Sequence, residues 1–312
     1  MRILISLHPF AEAHRAPLEL LQRSGHTLVV NPVGRRMTEA DLVTHAADCA
    51  AIICGTEPIS SKVIAAAPAL KVVSRVGSGC DSVDLAAAAA RDIVVAFVPD
   101  GPVESVAELT LGLILDSLRG ISRTDRHMRG GEWVRPLGKL LGGRTVGIAG
   151  VSRIGGTVAR KLAALGCKVI GHDLNPHAGI GVPFVSKNEL LQQSEILLLH
   201  LSYTPQTRNW LGAAELAQMP AGAVLVCTAR GGLIDEAALH AALSSGKLAH
   251  AALDVFEKEP YQGPLRDLPN VTLTAHIGSM TVEARIKMEL DACQNVLDVL
   301  AGREPAHRIT AP

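Results

Sequence analysis

One stretch limits what this chain can fold into. From Arg144 to Leu162 it reads RTVGIAGVSRIGGTVARKL. Val146–Ala149 is a short apolar run, long enough for one buried strand. Gly150, Ser152 and Gly155 make a tight turn of small residues, and Ile154–Leu165 carries apolar residues at helical spacing. Strand, small-residue turn and helix together form a phosphate cradle. The backbone can come close to a pyrophosphate, and the helix N-terminus offers free N–H groups and the positive end of its dipole. The middle glycine of the G-x-G-x-x-G pattern is Ser152 here, so the turn alone also suits an ordinary strand–helix junction. The next segment narrows the choice. Cys167–Gly171 reads as a second strand and leads to Asp173, 23 residues beyond Gly150 (173 − 150). At about that spacing a carboxylate meets the adenosine ribose. Turn, strand and acid together predict a dinucleotide site.

The rest of the chain alternates in the same way. Arg2–Leu7, Thr27–Val30, Ala50–Cys54, Lys71–Arg75 and Ile93–Ala96 read as short buried strands. Ala13–Arg23, Glu39–Ala46, Ser60–Ala66 and Asp84–Ala90 read as helices between them. This is the pattern of a parallel sheet covered on both faces. Pro99–Pro102 breaks the chain, and one long amphipathic helix, Glu104–Met128, follows and ends at Gly130-Gly131. A second α/β unit runs from Thr145 to about Ile277, with further strands at Glu195–Leu199, Ala223–Cys227, Ala249–Leu253 and Val271–Leu273. A last helix spans Thr281–Leu300. The 312 residues, 48% of them apolar, suffice for two cores of this kind. Two α/β units joined by a break predict a cleft, with ligands off the carboxyl ends of the strands.

Other classes are disfavoured. Basic and acidic residues balance at 30 each and aromatics are 3%, so neither a nucleic-acid footprint nor a basic membrane face is expected. Six cysteines without a C-x-x-C pair read as core residues in a reducing compartment, with no disulfide and no metal site. The apolar run Ile3–Leu7 stops at His8-Pro9, too short for a signal peptide. The most apolar helix, Leu109–Leu118, is interrupted by Asp116, so no membrane span is expected. These features predict a soluble cytoplasmic protein.

Three strand ends in a row carry chemistry. Thr228-Ala229-Arg230 follows Ala223–Cys227, Asp254 to Glu259 follows Ala249–Leu253, and Thr274-Ala-His276 follows Val271–Leu273. A histidine, a carboxylate to orient it and an arginine for an anion form an acid–base site with a substrate clamp. Each has a plainer alternative; Arg230 could be a surface residue at the start of a helix. Of the 12 histidines, His8, His14, His26, His45, His127, His177, His240, His250 and His307 have no such company and read as solvated or packing residues. His200 ends a strand and suits a cofactor contact.

At this point the chain resembles the D-isomer-specific 2-hydroxyacid dehydrogenase family, closest to its phosphoglycerate-dehydrogenase-like branch. The resemblance lies in Gly77-Ser-Gly-Cys-Asp81-Ser-Val-Asp84, Ser105-Val-Ala-Glu108 and the Gly150–Gly155 turn. It continues in Thr228-Ala-Arg230-Gly-Gly, Leu253-Asp-Val-Phe256 with Glu259-Pro260, and His276-Ile-Gly-Ser279. It covers nearly the whole chain. It implies two doubly wound parallel-sheet domains: a flavodoxin-like substrate domain, 1–99 with 282–312, and a Rossmann-like NAD domain, 100–281, inserted into it. It also implies a homodimer with the Glu104–Met128 region prominent in the contact. Arg230, Glu259 and His276 take the catalytic places. The implied cofactor contacts are Gly150, Ser152, Arg153, Ile154, Gly155, Asp173, His200, Thr207, Thr228, Ala229, Asp254 and Gly278. Val76 and Gly77 fall where backbone N–H groups hold the substrate carboxylate, alongside Arg230 and His276.

The departures are specific. Ser152 replaces a glycine, with the prospect of a looser pyrophosphate turn. Ser202-Tyr203 stands for the usual Pro-Leu, and Pro102 for an asparagine before Ser105. Cys54-Gly55-Thr56 stands where phosphoglycerate dehydrogenases carry Arg-Ser. The chain ends soon after the last helix, so no appended regulatory domain is expected. The leading expectation is an NAD-dependent reductase of a small 2-oxo acid, in which His276 donates a proton, Glu259 orients it and Arg230 polarises the oxo group. NAD is expected over NADP because of Asp173, and D-3-phosphoglycerate is not expected to be the best substrate. Alternatives are phosphoglycerate dehydrogenase proper, a dinucleotide-sensing scaffold, or an S-adenosylmethionine-dependent methyltransferase using the glycine turn.

Overall fold

Short aliphatic runs become strands, and the segments between them become helices, several of them started by a capping side chain. In the computed structural model, which describes residues 1–176 and 181–309, the first unit runs β1 (Arg2–Ile5), α1 (Ala16–Arg23), β2 (Thr27–Val30), α2 (Glu39–Ala46), β3 (Ala51–Cys54), α3 (Ser61–Ala66), β4 (Val72–Arg75), α4 (Leu85–Ala89) and β5 (Val94–Ala96). The second runs α5 (Val103–Arg119), α6 (Ile121–Arg129), β6 (Thr145–Ala149), α7 (Arg153–Ala164), β7 (Lys168–His172), α8 (Lys187–Gln193), β8 (Ile196–Leu199), α9 (Ala213–Gln218), β9 (Ala223–Cys227), α10 (Glu236–Ser244), β10 (Leu248–Leu253) and β11 (Val271–Leu273). The chain then returns to the first unit as α11 (Val282–Leu300) and β12 (Arg308–Ile309). Unit 1 is Met1–Pro102 with Ser279–Pro312, and unit 2 is Val103–Gly278. His177 and the last three residues of the expected 282–312 segment lie outside the described residues.

Each unit is a six-stranded sheet. Unit 1 has the order β12-β5-β4-β3-β1-β2, parallel except for β12, and unit 2 the all-parallel order β11-β10-β9-β8-β6-β7. Side chains alternate across the pleat, so each sheet feeds two cores. On β3, Ile52 and Cys54 enter one core while Ala51 and Ile53 enter the other. On β8, Leu197 and Leu199 face one side, Ile196 and Leu198 the other. All are fully buried, each large one worth about 1.5–3 kcal/mol of transfer free energy. Side-chain caps start several helices, among them Thr38 for α2, Asp235 for α10 and Thr281 for α11.

Beyond shifts of one or two residues at element ends, the structure departs from the sequence expectations in three main places. The single helix expected over Glu104–Met128 is two, because Gly120 takes the left-handed conformation (φ 61°) between α5 and α6. Asp116 fixes the break: its carboxylate accepts from the Ser122 N–H (2.6 Å), the Ser122 hydroxyl (2.9 Å) and the Thr272 hydroxyl (2.6 Å). Next, α1 begins at Ala16 rather than Ala13, with Pro17 in its first turn. Last, β12 pairs antiparallel with β5, an edge the sequence reading did not contain. Among the described residues no helix is long and apolar enough to cross a membrane.

Candidate active site

Unit 2 builds its turn from two obligatory glycines. Gly150 sits at φ 89°, and a Cβ there would lie 2.6 Å from the backbone of His200. A Cβ on Gly155 would lie 2.0 Å from the Gly150 carbonyl oxygen. Ser152 is different: it is exposed with φ −90°, a value open to any residue, so serine in place of glycine adds no backbone strain. The end of α7, where Arg153 and Ile154 begin the helix, has no side-chain cap and no acid in its first turn. Its first N–H groups therefore remain available to an anion. Asp173, just past β7, accepts from the Val151 N–H (2.8 Å) and the Asn175 N–H (3.0 Å), which fixes the carboxylate beside the turn.

The loop after β8 adds to this wall. The Thr207 hydroxyl donates to the Ser202 carbonyl (2.8 Å) and accepts from the Thr204 N–H (2.8 Å). His200 is half-buried, but its Nε2 is fully buried without a partner, and burial pushes the ring down to about 4, so it is neutral at pH 7. A glycine cradle, an open helix end and a fixed carboxylate at the neighbouring strand fit a dinucleotide.

The catalytic candidates leave three strands whose ends are in register: Cys227 pairs with Leu253, and Leu253 with Leu273. Arg230 lies three residues past β9, half-buried, with Nη1 donating to the Ala229 carbonyl (2.7 Å). Asp254, directly after β10 and 1% exposed, organises the loop after β11. Its side chain accepts from the Thr274 hydroxyl (2.6 Å), the Ile277 N–H (2.8 Å) and the Gly278 N–H (2.8 Å), and its carbonyl from the His276 N–H (2.9 Å). Held this way, His276 takes φ 53°, an uncommon backbone for a residue other than glycine. Its Nδ1 lies 2.9 Å from Glu259 Oε2, each side chain 31% exposed. Nε2 is then the nitrogen left to face a substrate.

In unit 1 the expected substrate residues follow β4. The Val76 N–H donates to the Cys54 carbonyl (2.8 Å) and the Gly77 N–H to the Arg75 carbonyl (3.0 Å). Both donors are thus engaged within the unit, and a carboxylate at this turn would compete with those bonds. Two residues support unit 2's loops from α5: Ser105, quoted above only as part of a motif, and Thr110, which the sequence reading did not single out. The Ser105 hydroxyl donates to the Gly278 carbonyl (2.7 Å), and the Thr110 hydroxyl lies 3.0 Å from that of Thr228. Their signal was two hydroxyls on a helix face otherwise made of Val106, Ala107 and Leu113.

Residues 111–278 match the family model described as D-isomer specific 2-hydroxyacid dehydrogenase, NAD binding domain. A D-3-phosphoglycerate dehydrogenase of Methanocaldococcus jannaschii is 36% identical over 96% of this chain and 58% of its own length. The chain spans about half the length of the curated phosphoglycerate dehydrogenases it matches. A glyoxylate reductase of Thermofilum pendens is 36% identical over 85% of this chain and 82% of its own. A solved structure from Thermus thermophilus superposes with a TM-score of 0.92 at 36% identity, covering 99% of this chain and 100% of that one. With its NAD-binding domain matched and its whole length aligned to such relatives, the chain belongs to the D-isomer-specific 2-hydroxyacid dehydrogenase family.

Proposed function

We propose that the protein reduces a small 2-oxo acid to the D-2-hydroxy acid, with NAD as the redox partner. The observation that carries this reading is the His276–Glu259 pair at 2.9 Å, on strand-end loops of the NAD-binding unit. When bound, the reduced dinucleotide supplies the hydride. The chain does the rest. Arg230 polarises the 2-oxo group and helps hold the carboxylate. His276 Nε2 donates the proton that the forming alkoxide takes, and Glu259 orients the ring through Nδ1. In the reverse direction the neutral ring takes the proton back.

The cofactor is held by Gly150, Ser152, Arg153, Ile154 and Gly155 at the pyrophosphate and by Asp173 at the adenosine ribose. His200 and Thr207 line the same site. Thr228, Ala229, Asp254 and Gly278 lie at the nicotinamide end. Unit 1, with Val76 and Gly77, is the substrate domain, and unit 2 the NAD domain. The protein works as a homodimer in the cytoplasm. Support for the dimer is α6, which buries none of its residues and exposes Ile121 and Met128, followed by exposed Trp133, Leu137 and Leu140. Support for a reducing compartment is six free cysteines, five of them buried.

The test is NADH consumption with glyoxylate, hydroxypyruvate, pyruvate and phosphohydroxypyruvate; the last is included because several relatives are D-3-phosphoglycerate dehydrogenases. Turnover with at least one, abolished in the Arg230→Ala variant, is expected. NADH binding without turnover of any 2-oxo acid would instead favour a sensing scaffold.

A further inference from the structure

Three strand-end loops of unit 2 meet on a pair of glycines. Arg230 is followed by Gly231 and Gly232, and Gly232 takes φ 73°. Adjacent glycines have no side chains to fix them, and no residue has a freer backbone. The fold holds them from outside. The Asn209 N–H donates to the Gly232 carbonyl (2.8 Å) and the Leu211 N–H to the Leu233 carbonyl (3.0 Å), so the loop after β8 runs beside the turn. The Tyr203 ring, on that same loop, fills the space that a side chain on Gly232 would need. A Cβ there would meet Cε2 of the ring at 2.9 Å and Cζ at 3.5 Å. Gly231 lies against the loop after β10, where a Cβ would be 1.9 Å from the Phe256 carbonyl oxygen and 2.5 Å from the Glu257 nitrogen.

Phe256 in turn reaches the proposed acid–base pair. Its N–H donates to Glu259 Oε1 (3.2 Å), while Glu259 Oε2 lies 2.9 Å from His276 Nδ1. The carboxylate is thereby fixed at both oxygens, once by backbone and once by the ring it orients. Contacts run from Tyr203 through Gly232 and Gly231 to Phe256, and from there to Glu259. Tyr203 is 38% exposed, and its hydroxyl has no hydrogen-bond partner among the described residues. What it contributes is the ring, at a place where the family resemblance implies a leucine.

We infer that Tyr203 is a positioning residue. Its ring holds the Gly231-Gly232 turn against Phe256, and through Phe256 it keeps the Glu259 carboxylate aimed at His276. This rests on the reductase reading above.

The experiment is a double-mutant cycle on the full chain, Tyr203→Ala with Glu259→Gln, read in NADH turnover with the 2-oxo acid that serves best. Tyr203→Ala alone should lower kcat roughly tenfold, as a displaced acid–base group does. NADH affinity should stay within about twofold of wild type, and the thermal midpoint should not move. Tyr203→Phe keeps the ring and should behave as wild type. In the Glu259→Gln background the carboxylate to be positioned is gone, and Tyr203→Ala should then cost less than about twofold. A tyrosine with a merely structural role would give the same loss in both backgrounds. A second readout needs no turnover. In protein carrying isotope-labelled histidine, the His276 Nδ1 resonance, identified by its absence in His276→Ala, should move in Tyr203→Ala and stay in Tyr203→Phe. Additive losses in the cycle, a loss confined to NADH affinity, or an Nδ1 resonance indifferent to Tyr203→Ala would each overturn the proposal. A resonance that moves in a protein that oxidises no NADH would leave the positioning role standing and remove the reductase reading.

Discussion

The two units wind their sheets alike and use the result differently. Counted from its own first strand, each runs 2-1-3-4-5 with one strand added at the far edge. In unit 2 only Gly150, Val151 and Ser152 separate β6 from α7, so a helix N-terminus arrives at the sheet's edge. In unit 1 the ten residues Ser6–Arg15 separate β1 from α1. That longer loop is tied to α11 instead: the Ala11 N–H donates to Glu289 (2.9 Å) and the Arg285 guanidinium to the Pro9 carbonyl (2.9 Å). A three-residue exit brings a helix N-terminus, with its unpaired N–H groups, next to the strand end; a ten-residue exit does not. The same strand order is therefore compatible with a backbone cradle in one unit and lacks one at the corresponding place in the other.

The comparison is broken most directly at His276. If acid–base chemistry belongs to unit 2, His276→Ala should lower turnover roughly 10²–10⁴-fold and leave NADH affinity nearly unchanged. Glu259→Gln keeps the shape of the side chain but not its charge, so it should lower turnover less than His276→Ala does and leave NADH affinity nearly unchanged. Steady-state rates, with NADH binding measured separately, read both. Near-normal turnover in His276→Ala would place the proton donor elsewhere.

The strands and the placement of the candidate residues were legible because parallel-sheet strands are short buried runs. Arg230 and His276 lie three residues beyond Cys227 and Leu273, and Glu259 six beyond Leu253. The turn was legible for the same reason, since Gly150, Ser152 and Gly155 fall within six residues directly after β6. What escaped was set by long reach: the contact of Ser105 is with a carbonyl 173 residues away, and that of Thr110 with Thr228, 118 residues away. The break at Gly120 escaped because one glycine in a helical pattern costs only about 1 kcal/mol; the bonds from Asp116 to Ser122 and Thr272 decide it. A two-residue strand such as β12 is too short to show any period.

A smaller effect is expected at the turn itself. In Gly155→Ala the added carbon meets the Gly150 carbonyl oxygen at 2.0 Å, and backbone must move. Overpacking of this kind costs about 1–3 kcal/mol, and it should weaken NADH binding together with stability. Gly25→Ala in unit 1 is a useful contrast, because nothing lies within 4 Å of the new carbon and only its φ of 72° opposes it. It should cost stability without touching NADH affinity, as fluorescence titration and urea midpoints would show. An NADH affinity in Gly155→Ala equal to wild type would mean the cradle is not where the cofactor binds. Discrimination between cofactors should be about tenfold or more in kcat/KM for NADH over NADPH, or about 1.4 kcal/mol. The fixed Asp173 carboxylate repels a 2′-phosphate, and Asp173→Ala should narrow the gap. Equal efficiencies in wild type would exclude Asp173 from that role.

The last difference concerns acid. Both histidines pushed down to about 4, His200 and His250, lie in unit 2. His250 on β10 has Nε2 2.9 Å from the Thr272 hydroxyl, which donates in turn to Asp116. Burial is the main cause of its low value; Asp116 pulls the other way, while Arg123 and Arg126 add to the fall. The folded value lies below the ordinary 6.5, so the unfolded chain takes up the proton first. The stability that neutral His250 contributes is therefore fully present above about pH 6.5 and is lost as pH falls from there towards 4. A shift of that size would amount to ~3 kcal/mol for a ring fully shut off from water. The ring is only half-buried, so about 1–2 kcal/mol is expected once screening is allowed for. His250→Gln keeps a hydrogen-bonding group towards Thr272 but cannot titrate. Urea midpoints at pH 7 and pH 4.5 should fall less between the two for His250→Gln than for wild type, with His200 contributing to the decline that remains. If the two proteins lost the same stability over that window, His250 would not be the group whose burial makes unit 2 acid-sensitive.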